Sequence, residues 1–283
     1  MSSRGGRRRL AVVLLLTPAA ALVSGLFLYP LLNMAALSVR TRFPGPWEFT
    51  LAHYAKFVTD PYFLRVTETT LVLAIGVTAL TVLLGYPVAY YFVRSGSRYK
   101  HWIFLGVISP LLVSIVVRTI GWTIILGNEG LVNGLLRGVG AIREPLPLMN
   151  SVWSVALGLT HVLLPFMILS IASVLGKIDR ALEESAAILG ANPARTFWRI
   201  TLPLSIQGIA AGSILVFCLT IGAYITPWWL GRGKVLLFST TIYDQILVII
   251  DWPFGAAAAM VLVGATLAIL LVHLAAVRRV GAR

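Results

Sequence analysis

The chain has 283 residues, 58% hydrophobic and 12% charged, with a formal net charge of +13 and a mean hydropathy of +0.90. That composition lies beyond the apolar fraction of a soluble globular domain and belongs in a bilayer. The basic excess does not describe a nucleic-acid binder, whose Lys and Arg gather on one face of a soluble fold among aromatics; here they sit in short segments between apolar runs, and the single Cys218, a packing residue within GSILVFCLTIGAYI, excludes an internal disulfide and a multi-cysteine metal site.

A helix crossing the roughly 30 Å hydrocarbon core needs about 20 mostly apolar residues. Six stretches predict such spans: 10–37, 69–93, 102–126, 151–175, 205–230 and 255–277. The opening RRRLAVVLLLTPAAALVSG also has the layout of a signal peptide. Its apolar character continues through LFLYPLLNMAALSV, too long for an h-region, and suits an uncleaved first span. Residues 1–9 then form a basic N-terminus, 38–68 an extracytoplasmic loop, 69–277 the membrane core and 278–283 a tail. Pro18, Pro30 and Pro87 fall inside spans, where neighbouring helices can satisfy the freed backbone groups.

Six spans put both termini on one side. Arg4, Arg7, Arg8 and Arg9 precede the first span, Arg94, Arg98 and Lys100 follow the second, Lys177, Arg180, Arg195 and Arg199 lie between the fourth and fifth, and Arg278, Arg279 and Arg283 end the chain. The opposite loops are longer and carry fewer: Arg40, Arg42, Lys56, Arg65, Arg137, Arg143, Arg232 and Lys234. The positive-inside rule therefore places both termini in the cytoplasm.

Arg118, in SPLLVSIVVRTIGW, is the one full charge within a predicted span and lies in its outer third. It reads either as a snorkelling or paired structural Arg or as a gate element, with Glu129 or Asp244 as partners. At the outer ends of the spans stand the carboxylates Glu68, Glu129, Asp244 and Asp251 and the aromatics Tyr224, Trp228, Trp229 and Tyr243. These residue types would bind an organic cation by charge and by cation–π contact. An interfacial aromatic belt competes as an account of the aromatics, and a solvated loop or a contact with another protein competes for the acids. His161, four residues before Pro165, reads as a packed polar residue, and GIAAG (208–212) offers a small face for close packing within the bundle or against another subunit.

The loop 176–204 contains EESAAILGANPARTFWRITLPL. Burying Glu183, Glu184, Arg195 and Arg199 at the bilayer centre would cost about 2.5–3.5 kcal/mol each, so the stretch is cytoplasmic. It is long for a connection without structure of its own, and its signals predict two short helices. Asp179 caps the first, with Ile178, Leu182 and Leu189 on one face and Ala186 beside them. Gly190 fits a left-handed C-terminal cap. Asn192 and Pro193 start the second helix, to which Phe197, Trp198 and Ile200 give an apolar side; Pro203 marks its end or opens the fifth span. The small Ser185, Ala186, Ala187 and Ala191 keep the first helix slim enough to enter a groove. A solvated loop with good caps is the competing account.

Glu184, Ser185 and Ala186, then Gly190 three residues on, then Ile200, Leu202 and Pro203 nine further on, resemble the EAA loop of type I ABC importer permeases. That pattern is Glu-Ala-Ala, three residues, Gly, nine residues, Ile-x-Leu-Pro; Ser185 stands where Ala is usual and is as small. The resemblance implies an all-α membrane protein with six transmembrane helices, cytoplasmic N- and C-termini and a MetI-like type I ABC transmembrane domain in a bacterial inner membrane. The loop would then be a coupling helix docking into a cleft of a separate ATPase, with Glu184 facing a basic group, Gly190 setting the bend, and Leu202 and Pro203 leading motion into the fifth span. NEGLVNGLL (128–136), GAYITPWWLG (222–231) and DWPFGAA (251–257) are similar to the spermidine/putrescine branch, permeases of the PotB and PotH kind, although relatives built this way also serve opines, amino-acid derivatives and other small cations. The implied partners are an ABC ATPase dimer, a second permease subunit (a homologous chain or a second copy), an extracytoplasmic solute-binding protein and membrane lipid, with no nucleic acid.

The chain has no G-x-x-x-x-G-K-[ST]; LGKI (175–178) and GRGKV (231–235) lack the first Gly and the final Ser or Thr. ATP is therefore expected on the partner, with no cofactor, metal or catalytic residue in this chain. A secondary transporter would show an inverted repeat, and a membrane enzyme a metal-ligand or acid/base cluster; neither is visible.

Overall fold

The computed structural model describes residues 3–281, with side chains for 14–275. The terminal arginines Arg4 to Arg9 and Arg278, Arg279 and Arg283, on which the orientation expectation leans, lie outside the described side chains. In chain order the helices are α1 (Ser3–Ser38), α2 (Ala52–Thr59), α3 (Pro61–Arg94), α4 (Lys100–Leu112), α5 (Ile115–Leu126), α6 (Leu131–Gly138), α7 (Val152–Leu175), α8 (Arg180–Ile188), α9 (Pro193–Thr196), α10 (Leu202–Ile221), α11 (Ile225–Gly231), α12 (Phe238–Tyr243) and α13 (Trp252–Gly281). Wide π-turns occupy Phe197–Thr201 and Asp244–Val248. Among the described residues the only β pairing is an isolated bridge between Arg40 and Phe49.

Six helical stretches are long and apolar enough to cross a membrane: Leu14–Ser38, Pro61–Arg94, Ile115–Gly138, Val152–Leu175, Pro193–Ile221 and Trp252–Ala275. The chain divides into two compact units, Met1–Asp60 with Thr241–Val263, and Pro61–Thr240 with Gly264–Arg283.

The larger unit is built on α3, α7 and α10, which pack on one another. Buried residues recur at helical spacing on α3 (Leu73, Val77, Tyr86, Ala89) and α7 (Val155, Leu159, Leu163, Met167, Ile171, Leu175). Ile75 and Leu83 on α3 are exposed, as expected where a bilayer rather than water is the solvent. Between apolar helices in lipid, close backbone approach replaces the hydrophobic effect. A Cβ at Gly208 would stand 3.0 Å from the Ser170 carbonyl, and one at Gly212 2.6 Å from Met167 Sδ. GIAAG therefore serves packing within the bundle, against α7. Tyr86 and Ser205 join α3 to α10 through a 2.8 Å hydroxyl contact, and Ser151 and Ser154 form a reciprocal capping box at the start of α7.

Two predicted spans need correction. The third is not one helix over 102–126: α4 ends at Leu112, Val113 is extended and Ser114 opens α5. Pro110 brings no N–H to the Gly106 carbonyl four residues back, and Arg118 donates to the carbonyls of Pro110 and Val113 at the break. The membrane-length stretch begins at Ile115. The fifth span starts earlier and ends sooner than 205–230. The second loop helix does not stop; it runs from Pro193 through the π-turn into α10 and ends at Ile221, and α11 is a separate short helix. Pro203 accounts for the wide turn, since its ring collides with the carbonyl four residues back, and the Leu202 N–H instead reaches Phe197, five back.

In the smaller unit the described side chains of α1 are exposed over most of its length. The arm after it packs through aromatics: Phe57 stacks on Phe254 at 5.1 Å, Phe43 on Trp252 at 5.5 Å, and the Arg40 guanidinium lies 4.4 Å from the Trp47 ring centre.

Candidate coupling loop and pathway residues

The loop between α7 and α10 is folded along the predicted lines. Asp179 caps α8 by accepting from the Ala181 N–H at 3.0 Å. At the other end Gly190 has φ +83°; its N–H reaches the Ala187 carbonyl at 3.0 Å and the Ala191 N–H the Ala186 carbonyl at 2.9 Å. This pair of bonds is the Schellman motif, which requires the left-handed residue. Open space surrounds a Cβ built at Gly190, so backbone conformation alone selects glycine there. Asn192 accepts from the Arg195 N–H at 2.7 Å, with Pro193 in the first turn.

The apolar face of α8 is where the expectation fails. Ala186 is buried and Ile178 packs against the core, but Leu182 is half exposed, and Ile188 and Leu189 are 86% and 87% exposed. The helix is held through its small and polar side instead: Ala186, with Glu183 and Arg180 reaching α3. Glu184 and Ser185 are exposed beside Ile188 and Leu189, so an acid and an apolar pair share the outward surface just before the glycine bend. Phe197 packs edge-on to Tyr86 and Tyr90 at 5.5 and 5.8 Å, Ile200 and Leu202 are half-buried, and Pro203 and Trp198 are exposed.

The pathway candidates are less concentrated. Arg118 takes neither of its expected carboxylate partners; its contacts are the Pro110 and Val113 carbonyls, which makes it a cap on a broken helix. Glu129 is 84% exposed and pairs with Arg137 at 3.1 Å. Glu68 is exposed on α3. His161 accepts from the Trp122 indole at 3.3 Å, a packed polar residue. Tyr224, Trp228 and Trp229 do come together, with ring centres 6.3 and 5.8 Å apart. A pocket of about 270 Å³ at the end of α11 is lined by Trp228, Trp229, Arg232 and Gly233, so the charge in that aromatic pocket is a cation. In the smaller unit, Asp251 is the N-cap of α13, accepting from the Phe254 N–H at 3.1 Å. Tyr243 ends α12, and Asp244 opens a π-turn, where desolvation by burial raises its carboxyl above the usual range.

Sequence reasoning missed Arg94 and Thr201, and passed over Glu183 for its neighbour. Their only local signal is polarity at a span end; what joins them is contact across 89 and 18 positions.

The bundle of α3, α7 and α10 with a folded helix–glycine–helix loop defines an integral-membrane transport component. Residues 8–280 match the family described as binding-protein-dependent transport system inner membrane component, and the chain belongs to that family as a multi-pass inner-membrane permease. It is 35% identical over 214 residues to the spermidine/putrescine transport system permease protein PotB of Salmonella typhimurium, covering 76% of this chain and 74% of that one. It is 32% identical over 236 residues to PotB of Haemophilus influenzae, covering 82% of each. Among solved structures, the bacterial ABC transporter that imports the acidic polysaccharide alginate aligns over 98% of both chains with a TM-score of 0.76 at 21% identity, a likeness of fold.

Proposed function

We propose that this permease forms the translocation path of an importer for spermidine, putrescine or a similar small cation. The observation that carries this reading is the 32–35% identity to PotB over at least three quarters of the chain. Both termini are cytoplasmic, and α8 is the coupling helix. Its exposed Glu184, Ser185, Ile188 and Leu189 offer a charged and apolar surface to an ABC ATPase dimer, while Gly190 sets the bend that leads through Ile200, Leu202 and Pro203 into α10. A second permease subunit completes the pathway, and an extracytoplasmic binding protein delivers solute to it. ATP closure of the ATPase pair draws the coupling helices together and turns the spans outward.

The test of substrate is uptake of labelled putrescine and spermidine by a strain deleted for this gene. Loss of uptake, restored by the gene, supports the reading; unchanged uptake removes the polyamine and leaves the family untouched. One observation favours a second substrate class. Arg232 beside Trp228 and Trp229 suits a solute that carries a carboxylate, such as an opine or amino-acid derivative, so those compounds belong in the same uptake panel.

A further inference from the structure

Glu183, one position before the outward-facing Glu184, is turned inward and makes contacts on two elements, α3 and the π-turn ahead of α10. Its carboxylate accepts from Arg94 Nε at 3.1 Å, and Arg94 Nη2 lies 2.9 Å from the same oxygen, with side-chain exposures of 10% for the Arg and 19% for the Glu. That oxygen also accepts from the Thr201 hydroxyl at 2.8 Å. Arg94 is the last residue of α3, and the fully buried Thr201 closes the π-turn ahead of α10. The attachment is returned from the loop side: Arg180 donates to the carbonyls of Val93 and Arg94 at 3.1 and 3.0 Å, and Arg94 Nη1 donates to the Ile178 carbonyl at 3.1 Å. Arg180 thereby satisfies orphan acceptors at the C-terminus of α3, where a cation is favoured.

We propose that Glu183 is a positioning residue, the joint through which displacement of α8 is delivered to α3 and α10 together. The proposal rests on the reading of α8 as the coupling helix. Three features carry it. A largely buried Arg–Glu pair is stiff in the sense that removing one partner strands a charge, so α8 does not slide past the end of α3 without breaking it. The grip on α10 lands in the π-turn, where backbone bonding is irregular and helices commonly bend. Glu184 itself points away, which divides the two adjacent acids into one facing a partner and one facing the bundle.

The experiment uses the complete transporter reconstituted in liposomes and reads solute imported per ATP hydrolysed, together with ATPase co-purification. Glu183→Gln keeps an acceptor for Thr201 and removes the charge facing Arg94. It should leave the ATPase bound and lower the solute-to-ATP ratio roughly tenfold, the middle of the range for residues sharing one network. Thr201→Val keeps the ion pair and frees only the π-turn, and should lower the ratio by a smaller factor. Glu183→Arg combined with Arg94→Glu should recover most of the loss. A wild-type ratio in Glu183→Gln overturns the joint, as does a loss of folded complex in that variant that the charge swap fails to rescue. Failure of the underlying reading looks different: Glu184→Lys would then leave both ATPase binding and the ratio intact.

Discussion

The loop between α7 and α10 and the candidate pathway residues contrast in how their side chains are brought together. In the loop, Asp179, Gly190, Asn192 and Pro193 each do the backbone work their chemistry suggests, within a few residues of themselves. Of the four carboxylates considered as cation ligands, two are spent locally: Glu129 on Arg137 and Asp251 on the N-terminus of α13. Among the candidate aromatics, Trp228 and Trp229 come together beside Arg232. The difference teaches that the loop is specified by capping and turn chemistry within a few residues, whereas the candidate pathway residues depend on contacts that no local signal announces.

Substitutions that disturb the bundle beneath the loop should have the largest effects. Gly212→Leu would drive a side chain into Met167 and Ser170 of α7, where even a Cβ is too close; overpacking of this kind costs about 1–3 kcal/mol per site and occasionally more. The expected outcome is loss of monodisperse protein in detergent, read by size exclusion. Gly190→Val comes next. A β-branched residue in the left-handed region costs on the order of 1–2 kcal/mol, with no clash to add, since the site is open. The bundle should survive with a modestly lower melting temperature while uptake falls sharply. If uptake stays at wild type, the loop is less tightly specified than the contrast requires. Asp251→Ala removes a helix cap and should cost about 1 kcal/mol, with the melting temperature lowered and uptake reduced only in proportion. A much larger loss of uptake at unchanged melting would return Asp251 to the pathway.

How much of this was legible in the sequence follows the same division. Span number, the loop's caps and the αL glycine are properties of windows shorter than 30 residues and were readable. The break at Val113–Ser114 was signalled by Pro110, but its stabilisation depends on Arg118 folding back on carbonyls five and eight positions earlier; read as a charge, Arg118 called for carboxylate partners. The outward turn of Ile188 and Leu189 was hidden for another reason. Periodicity identifies an apolar face, yet α8 is anchored by Glu183 and Arg180, and nothing local says that a helix is held by its polar side.

Glu129→Gln should have the smallest effect on folding and the most informative effect on transport. A pair with one partner 84% exposed contributes about 0–1 kcal/mol at most, so the melting temperature of the purified permease should not move measurably. Arg137 keeps its second contact, the Asn128 carbonyl at 2.8 Å, and this limits any rearrangement of the turn. If Glu129 is only a surface partner, the apparent KM for putrescine uptake should also stay within about twofold, and the candidate carboxylates remain as dispersed as they look. A rise in KM of tenfold or more at unchanged melting would correspond to about 1.4 kcal/mol of lost binding. Because the carboxylate is removed while shape is kept, that loss would have to come from its charge acting on a cation. In that event Glu129 serves the solute while also holding a local contact, and the contrast with the loop narrows.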